Sequence, residues 1–213
     1  VNASGASNVT ATAGSITDVT SAEDSGNENI SGTTLTLSSA TGIGSAGAAN
    51  DLDVAATTIV ASDSGTGSIY LAETDGVAIG ATSTTSGALS IVAGGAVTTS
   101  GNISASGGSL ALTGVGLTNS NTITGDANGI SLSAGTGTLT STAGSITNGG
   151  SAGTISLAAD TDIVLAGGAG SITAGAGDVT LKDSAGSITM ALAGGSGTIA
   201  IADADLDLSL IHI

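Results

Sequence analysis

Apolar positions along this chain recur in a short unit, Gly-x-Φ-x-Φ, where Φ is Ile, Leu or Val. It reads GSIYL at 67–71, GALSI at 87–91, GSLAL at 108–112, GTISL at 153–157, GDVTL at 177–181 and GTIAI at 197–201. A shifted copy, GISL, begins at Gly129, and TTLTL around Leu35 and Leu37 and DLDV around Leu52 and Val54 are weaker copies. The first apolar residues of these units are Leu35, Leu52, Ile69, Leu89, Leu110, Ile130, Ile155, Val179 and Ile199, 17 to 25 residues apart. Other short β-like peaks fall between them, such as Leu139 and Ile146, or Ile163 and Ile172. Each interval therefore holds about three short strands. A second unit, AGSIT, occurs verbatim at 13–17, 143–147, 169–173 and 185–189. Its Gly supplies a turn and its Ser-Ile-Thr a strand with Ile on one face and hydroxyls on the other.

Short strands joined by Gly-rich corners, three to a coil of about 20–25 residues, describe an all-β parallel β-helix solenoid. Alternation sends Ile, Leu and Val inward and Ser, Thr and Asp outward. Stacked coils then bury a continuous core that no single coil could bury. Ile69, Leu89, Leu110, Ile130, Ile155, Val179 and Ile199 are expected to point inward. The alternative is an antiparallel sandwich, which Asp75-Gly76, Asn128-Gly129 and Asn148-Gly149 could serve as hairpin turns. Three such pairs are too few for the strands implied.

Composition narrows the architecture. The 213 residues include 36 Gly, no Pro, no Cys, no Phe and no Trp, and Tyr70 is the single aromatic residue. A core of small aliphatic side chains must be thin to reach native packing density. Absence of Pro suits strands that are internal to a sheet and need every N–H. Gly, Ser and Thr enrichment would also suit a flexible linker, but a linker has no reason to space Ile and Leu periodically.

Charge removes several function classes. The net charge is −16 and Lys182 is the only basic side chain. Nucleic-acid binding needs clusters of Lys and Arg, and an anionic membrane surface would repel the chain. The uncharged stretch 76–125 is broken by Gly, Ser and Thr, so no transmembrane segment is expected. Strands without aromatic girdles fit an outer-membrane barrel poorly.

The run GTISLAADTDIVLAGGAGSITAGAGDVTLKDSAGSIT at 153–189 resembles the shaft repeats of filamentous-haemagglutinin-like adhesins and related giant bacterial exoproteins. The likeness is of composition and repeat and is best from Gly87 onward. It implies a right-handed β-helix shaft, an extracellular or cell-surface location, an outer-membrane secretion partner, and a role in attachment. A host-cell, surface or glycan ligand would be met through regions beyond this segment. The export domain of that family is not recognisable here.

Candidate chemistry is sparse. No catalytic residues and no cofactor are expected. A Ser-His-Asp constellation needs a His base, and the one His is His212 at the end of the chain. A polysaccharide lyase would have to rely on Lys182. A hydrolase needs paired carboxylates; Asp160 and Asp162 could share a face, but no aromatic sugar platform accompanies them. Asp203, Asp205 and Asp207 alternate with Ala204 and Leu206, which in a strand aligns three carboxylates, and Asp51 and Asp53 align two. With backbone help such a row could hold Ca²⁺, although a solvated outer face is the favoured reading. The calcium-binding G-G-x-G-x-D-x-U-x nonapeptide is absent, since Gly175 and Gly177 precede Asp178 at the wrong spacing. Thr10/Thr12 and Thr122/Thr124 could belong to a flat threonine array, which variable coil length argues against. The expected function is a structural shaft without catalysis. The alternative is a fragment of a polysaccharide-binding or polysaccharide-degrading β-helix whose site lies outside it.

The ends carry two further expectations. A β-helix cut at both ends exposes unpaired backbone groups and should associate end to end. Residues 1–207 are read as the solenoid. Leu208-Ser209-Leu210-Ile211-His212-Ile213 matches one reading frame of a transposase adaptor used in sequencing libraries (CTG TCT CTT ATA CAC ATC). Residues 208–213 are therefore expected to be translated adaptor, and the chain a fragment from assembled environmental DNA.

Overall fold

The computed structural model describes residues 1–19, 28–141, 143–149, 151–165 and 171–184, and the backbone alone of 190–192 and 199–201. The described residues contain strands and no helix, and the strands stack as a parallel β-solenoid of about seven turns. No helix among them is long and apolar enough to cross a membrane. Asp203, Asp205, Asp207 and His212 lie outside the described residues.

Three faces run along the rod. On the first, Ile69–Glu73, Leu89–Ala93, Leu110–Thr113, Ile130–Ser133, Ile155–Ala158 and Val179–Lys182 stack in parallel. The register places Ile69 on Leu89, Leu89 on Leu110, Leu110 on Ile130, Ile130 on Ile155 and Ile155 on Val179. These are the residues that the repeat marks as inward. The first five are buried, and Val179 is half-buried against the same core. The side chain of Ile199 lies outside the described residues. Each such aliphatic removed from water contributes roughly 1.5–3 kcal/mol, so the column of one face is a major stabilising element.

The second face stacks Val77–Ile79, Val97–Thr99, Leu117–Asn119, Thr138–Ser141 and Asp162–Leu165. The third stacks Thr82–Thr84, Ile103–Ala105, Thr122–Thr124, Ser145–Thr147 and Ile172–Thr173. On the third face Ser83, Ser104, Thr124, Thr147 and Thr173 follow one another in register on the outside. Coil length therefore varies without disturbing the hydroxyl column. The variation is taken up at the corners, so it does not count against a regular face.

Among the described residues, the glycine that opens a repeat unit has a steric cause. A Cβ on Gly87 would stand 1.9 Å from the carbonyl oxygen of Gly67 in the preceding coil. Only a residue without a side chain lets successive corners nest at the strand spacing.

The N-terminal coils depart from the expected period. Leu35 stacks on Ile59 and Leu52 on Leu71, so neither belongs to the column of first apolar residues. That column instead continues downward from Ile69 to Ile43 and Ile16. The strand Leu52–Asp63 is long enough to pass a corner, and it pairs in turn with three separate strands of the next coil. The verbatim AGSIT unit also lacks a fixed place. Ile16 stands on the first face, whereas Ile146 and Ile172 stand on the third. The copy at 185–189 lies outside the described residues.

Candidate functional site: a cleft over the single aromatic residue

One coil carries an insertion on the first face. Ile69 and Leu71 are separated by Tyr70 alone, while their partners one coil below, Ile43 and Leu52, are separated by residues 44–51. Gly44 takes the place beneath Tyr70: its N–H donates to the Ile16 carbonyl, and the Tyr70 N–H donates to Ile43, both at 2.8 Å. There the chain must turn outward, and Gly44 does so at φ +61°. A side chain at Gly44 would meet the Tyr70 carbonyl oxygen at 2.3 Å, so the exit of this loop depends on glycine. The loop is closed by its own backbone, with Ser45 N–H donating to Asn50 O at 2.7 Å and Asn50 N–H to Gly47 O at 2.9 Å.

The loop stands over the outer surface and walls an open cleft of about 430 Å³. Tyr70, Ala72, Ser90 and Val92 form its floor, in two register pairs, Tyr70 with Ser90 and Ala72 with Val92. Asp51, Asp53, Gly47 and Ala48 line the loop side. Asp53 stacks in register on Ala72, which puts its carboxylate at the edge of the floor.

The carboxylates are crowded. Oδ1 of Asp51 is shut off from solvent and has no hydrogen-bond partner beyond the weak approach of its own amide. Burial, then the charge of Asp53 and more weakly that of Asp18, hold the Asp51 carboxyl above the usual range. Asn29 ties this region together. Its Nδ2 donates to Asp18 Oδ1 at 2.9 Å, and its Oδ1 accepts the Asp53 N–H at 2.8 Å. Among the described residues, no three of His, Cys, Asp and Glu are placed to hold a metal ion.

The other sequence candidates do not converge. Asp160 sits at a corner and accepts the Ser184 N–H at 2.7 Å, whereas Asp162 opens a strand and stacks on Thr138. Lys182 ends the last fully described strand of the first face, far from the cleft. Sequence reasoning missed the grouping of Tyr70 with Asp51 and Asp53. The residues are distant along the chain, and only the stacking of one coil on the next brings them together. The signal that could have found them is the extra length between Ile43 and Leu52.

A scan against protein-family models, a search of curated proteins and a search of solved structures each return no match.

Proposed function

We propose that this chain is a stretch of the shaft of a secreted or surface-attached bacterial protein of the adhesin kind, which holds a binding region away from the cell. The observation that carries the reading is the unbroken register from Ile69 through Leu89, Leu110, Ile130 and Ile155. Repeating the same cross-section coil after coil yields a stiff element of defined length. That serves spacing better than it serves chemistry. The outer rows are mostly Ser, Thr and Ala, which present little for a partner to grip along most of the length.

The reading is tested by spacing. Small-angle X-ray scattering of the purified chain should give a rod of constant cross-section, roughly 35 Å long for seven steps of about 4.8 Å. Displayed on a bacterial surface between an anchor and a domain of known ligand, it should raise capture of ligand-coated beads through a polymer brush. Capture unchanged by adding the chain, or strong adhesion to cells by the chain alone, would refute the shaft role.

A polysaccharide-binding or polysaccharide-degrading β-helix is the second reading. The cleft that groups Tyr70 with Asp51 and Asp53 is the observation that favours it. A reducing-end assay on pectin and uronate polymers tests degradation, and no turnover is expected.

A further inference from the structure

Among the asparagines of the chain, only Asn128 and Asn148 precede glycine. They sit one coil apart at the same corner, where the chain passes from the third face to the first. The dipeptide is identical at the two places, and the surroundings are not.

Asn148 points into the rod and is fully buried. Its Nδ2 donates to the Gly153 carbonyl, and its amide lies over Gly125, where a Cβ would come within 2.8 Å of Oδ1. A group packed this closely reacts only when the corner opens. Asn128 points outward and is exposed. Its N–H and its Nδ2 both donate to Asp126 Oδ1, at 2.8 and 3.1 Å, within the same corner. The Gly129 N–H closes the turn by donating to the Asp126 carbonyl at 3.1 Å. Gly129 stands at φ +88°, a conformation that calls for glycine. The side chain that this conformation excludes is also the one that would crowd the Gly129 nitrogen.

That arrangement invites a known reaction of amides. The Gly129 nitrogen forms a bond to Asn128 Cγ and gives up its proton, the Cγ–Nδ2 bond breaks, and ammonia leaves with that proton. Solvent water then opens the resulting cyclic imide at either carbonyl, giving isoaspartate or aspartate. Water is the only co-reactant. The step needs room for Cγ to swing toward the nitrogen and access for water to the ring. Asn128 has both once the Gly129 turn bond lets go, and Asn148 has neither while the core is closed.

We infer that Asn128 is a site of spontaneous conversion to isoaspartate, and that the conversion unlocks the corner between the third and first faces. Two effects combine. The Nδ2 donor that faces Asp126 is replaced by a second carboxylate, so attraction turns to repulsion. Isoaspartate also lengthens the backbone by one carbon just ahead of Gly129. The corner has no slack for it, since a Cβ on Gly129 would already stand 2.6 Å from the Thr154 carbonyl oxygen. Asp126 accepts the Gly107 N–H of the preceding coil, and the Gly129 carbonyl accepts the Leu110 N–H at 3.1 Å. The disturbance therefore passes to the neighbouring coil. This inference goes beyond the shaft reading and does not depend on it.

The experiment ages the whole chain, warm and at mildly alkaline pH, in native buffer and in parallel in urea. Peptic peptides are weighed for the change from amide to acid, and isoaspartyl methyltransferase marks isoaspartate. In urea the two asparagines should convert at similar rates. In the native chain Asn128 should convert faster than Asn148 by about tenfold or more, with isoaspartate the larger product. Amide exchange at Leu110 and Ile130 should quicken in the aged chain. It should not quicken in aged Asn128→Gln, whose longer side chain closes its ring far more slowly. Before ageing, that variant should keep the circular dichroism of the parent, because the position is exposed. Asn148 converting as fast as Asn128 in the native chain overturns the proposal. So does an intact native Asn128 after urea has completed both conversions, or unchanged exchange in a converted chain.

Discussion

Thr99 donates its hydroxyl to Oδ1 of Asn119 at 2.9 Å inside the rod, and Asn119 passes its Nδ2–H on to Ser141 Oγ at 3.1 Å. All three side chains are buried. They occupy an inward column that is aliphatic on either side, with Ile79 stacked on Thr99 and Leu165 on Ser141. Asn119 Oδ1 also accepts the Asn121 N–H at 3.2 Å, and Thr99 Oγ1 accepts the Ser120 N–H at 2.9 Å. The ladder thus satisfies the corner that follows it as well as itself. Asn119→Ala should lower stability by about 2–4 kcal/mol, since it strands buried groups on both sides. The triple change Thr99→Val, Asn119→Leu, Ser141→Val should be milder than that single one, because it removes the three buried side-chain partners together and strands only the Ser120 and Asn121 amides at a part-buried corner. Urea midpoints of the two variants compare them, and a triple variant weaker than Asn119→Ala would contradict the account.

Truncation on the first face should be read out coil by coil. Leu110 is fully buried between Leu89 and Ile130, and Leu110→Ala should cost about 2–5 kcal/mol. Val164, on the outside and 38% exposed, should tolerate alanine within about 0.5 kcal/mol. Equal effects of the two in chemical denaturation would mean that the stacking register is wrong.

Corner glycines should separate in the same assay. Gly87→Ala forces a methyl group into the Gly67 carbonyl and should destabilise by about 1–3 kcal/mol or more. Gly14 has open space around it, and Gly14→Ala should be close to neutral. Amide hydrogen exchange around residues 67 and 87 should quicken only in the first variant.

Acidification should stabilise the rod in part through Glu73. This side chain is only 3% exposed, between Val54 and Ala93 in register, and its oxygens accept the Ala56 and Asp75 amides at 3.0 and 2.9 Å. Burial outweighs those bonds and, with the nearby Asp75 charge, holds its carboxyl above the ordinary 4.5. A raised folded value means that the native state binds the extra proton. The stabilisation is complete below about 4.5 and is lost as pH rises through the raised value. Asp126 acts in the opposite sense. Burial pushes its carboxyl up, but amide donors from Asn128 and Gly107 outweigh that and hold it below 3.8, so its contribution disappears on strong acidification. As pH falls from neutrality toward about 4.5, urea midpoints should rise, and the rise should be smaller in Glu73→Gln. An equal slope in that variant would remove Glu73 as the cause.

The regular part of the fold was legible because its coils differ little in length. With near-equal spacing, the first apolar residues of successive units had to meet, and Ile69, Leu89, Leu110, Ile130 and Ile155 do. The same reasoning misplaced Leu52, because residues 44–51 leave the coil and return, so Leu52 meets the second apolar residue of the next unit, Leu71. Asn119 was silent for another reason. An asparagine beside a serine reads as a surface turn until its partners one coil above and below are known. The cleft was illegible on the same grounds, since Tyr70 and Asp53 become neighbours only through the stacking of coils.

The backbone hydrogen bonds of this rod lie along its length. Pulling on the two ends would load them in line with the force and one coil at a time, so the rod should peel rather than shear. A coil of about 20 residues occupies about 4.8 Å when folded and nearly 70 Å when drawn out. Under tension, such a solenoid would lengthen in steps of roughly 60 Å while the remaining coils hold their register. Stiff at rest, it would yield gradually under load and spare whatever is attached at either end from sudden strain. An optical trap would show a train of small, evenly spaced steps, whereas a single large rupture would mean that the coils fail together.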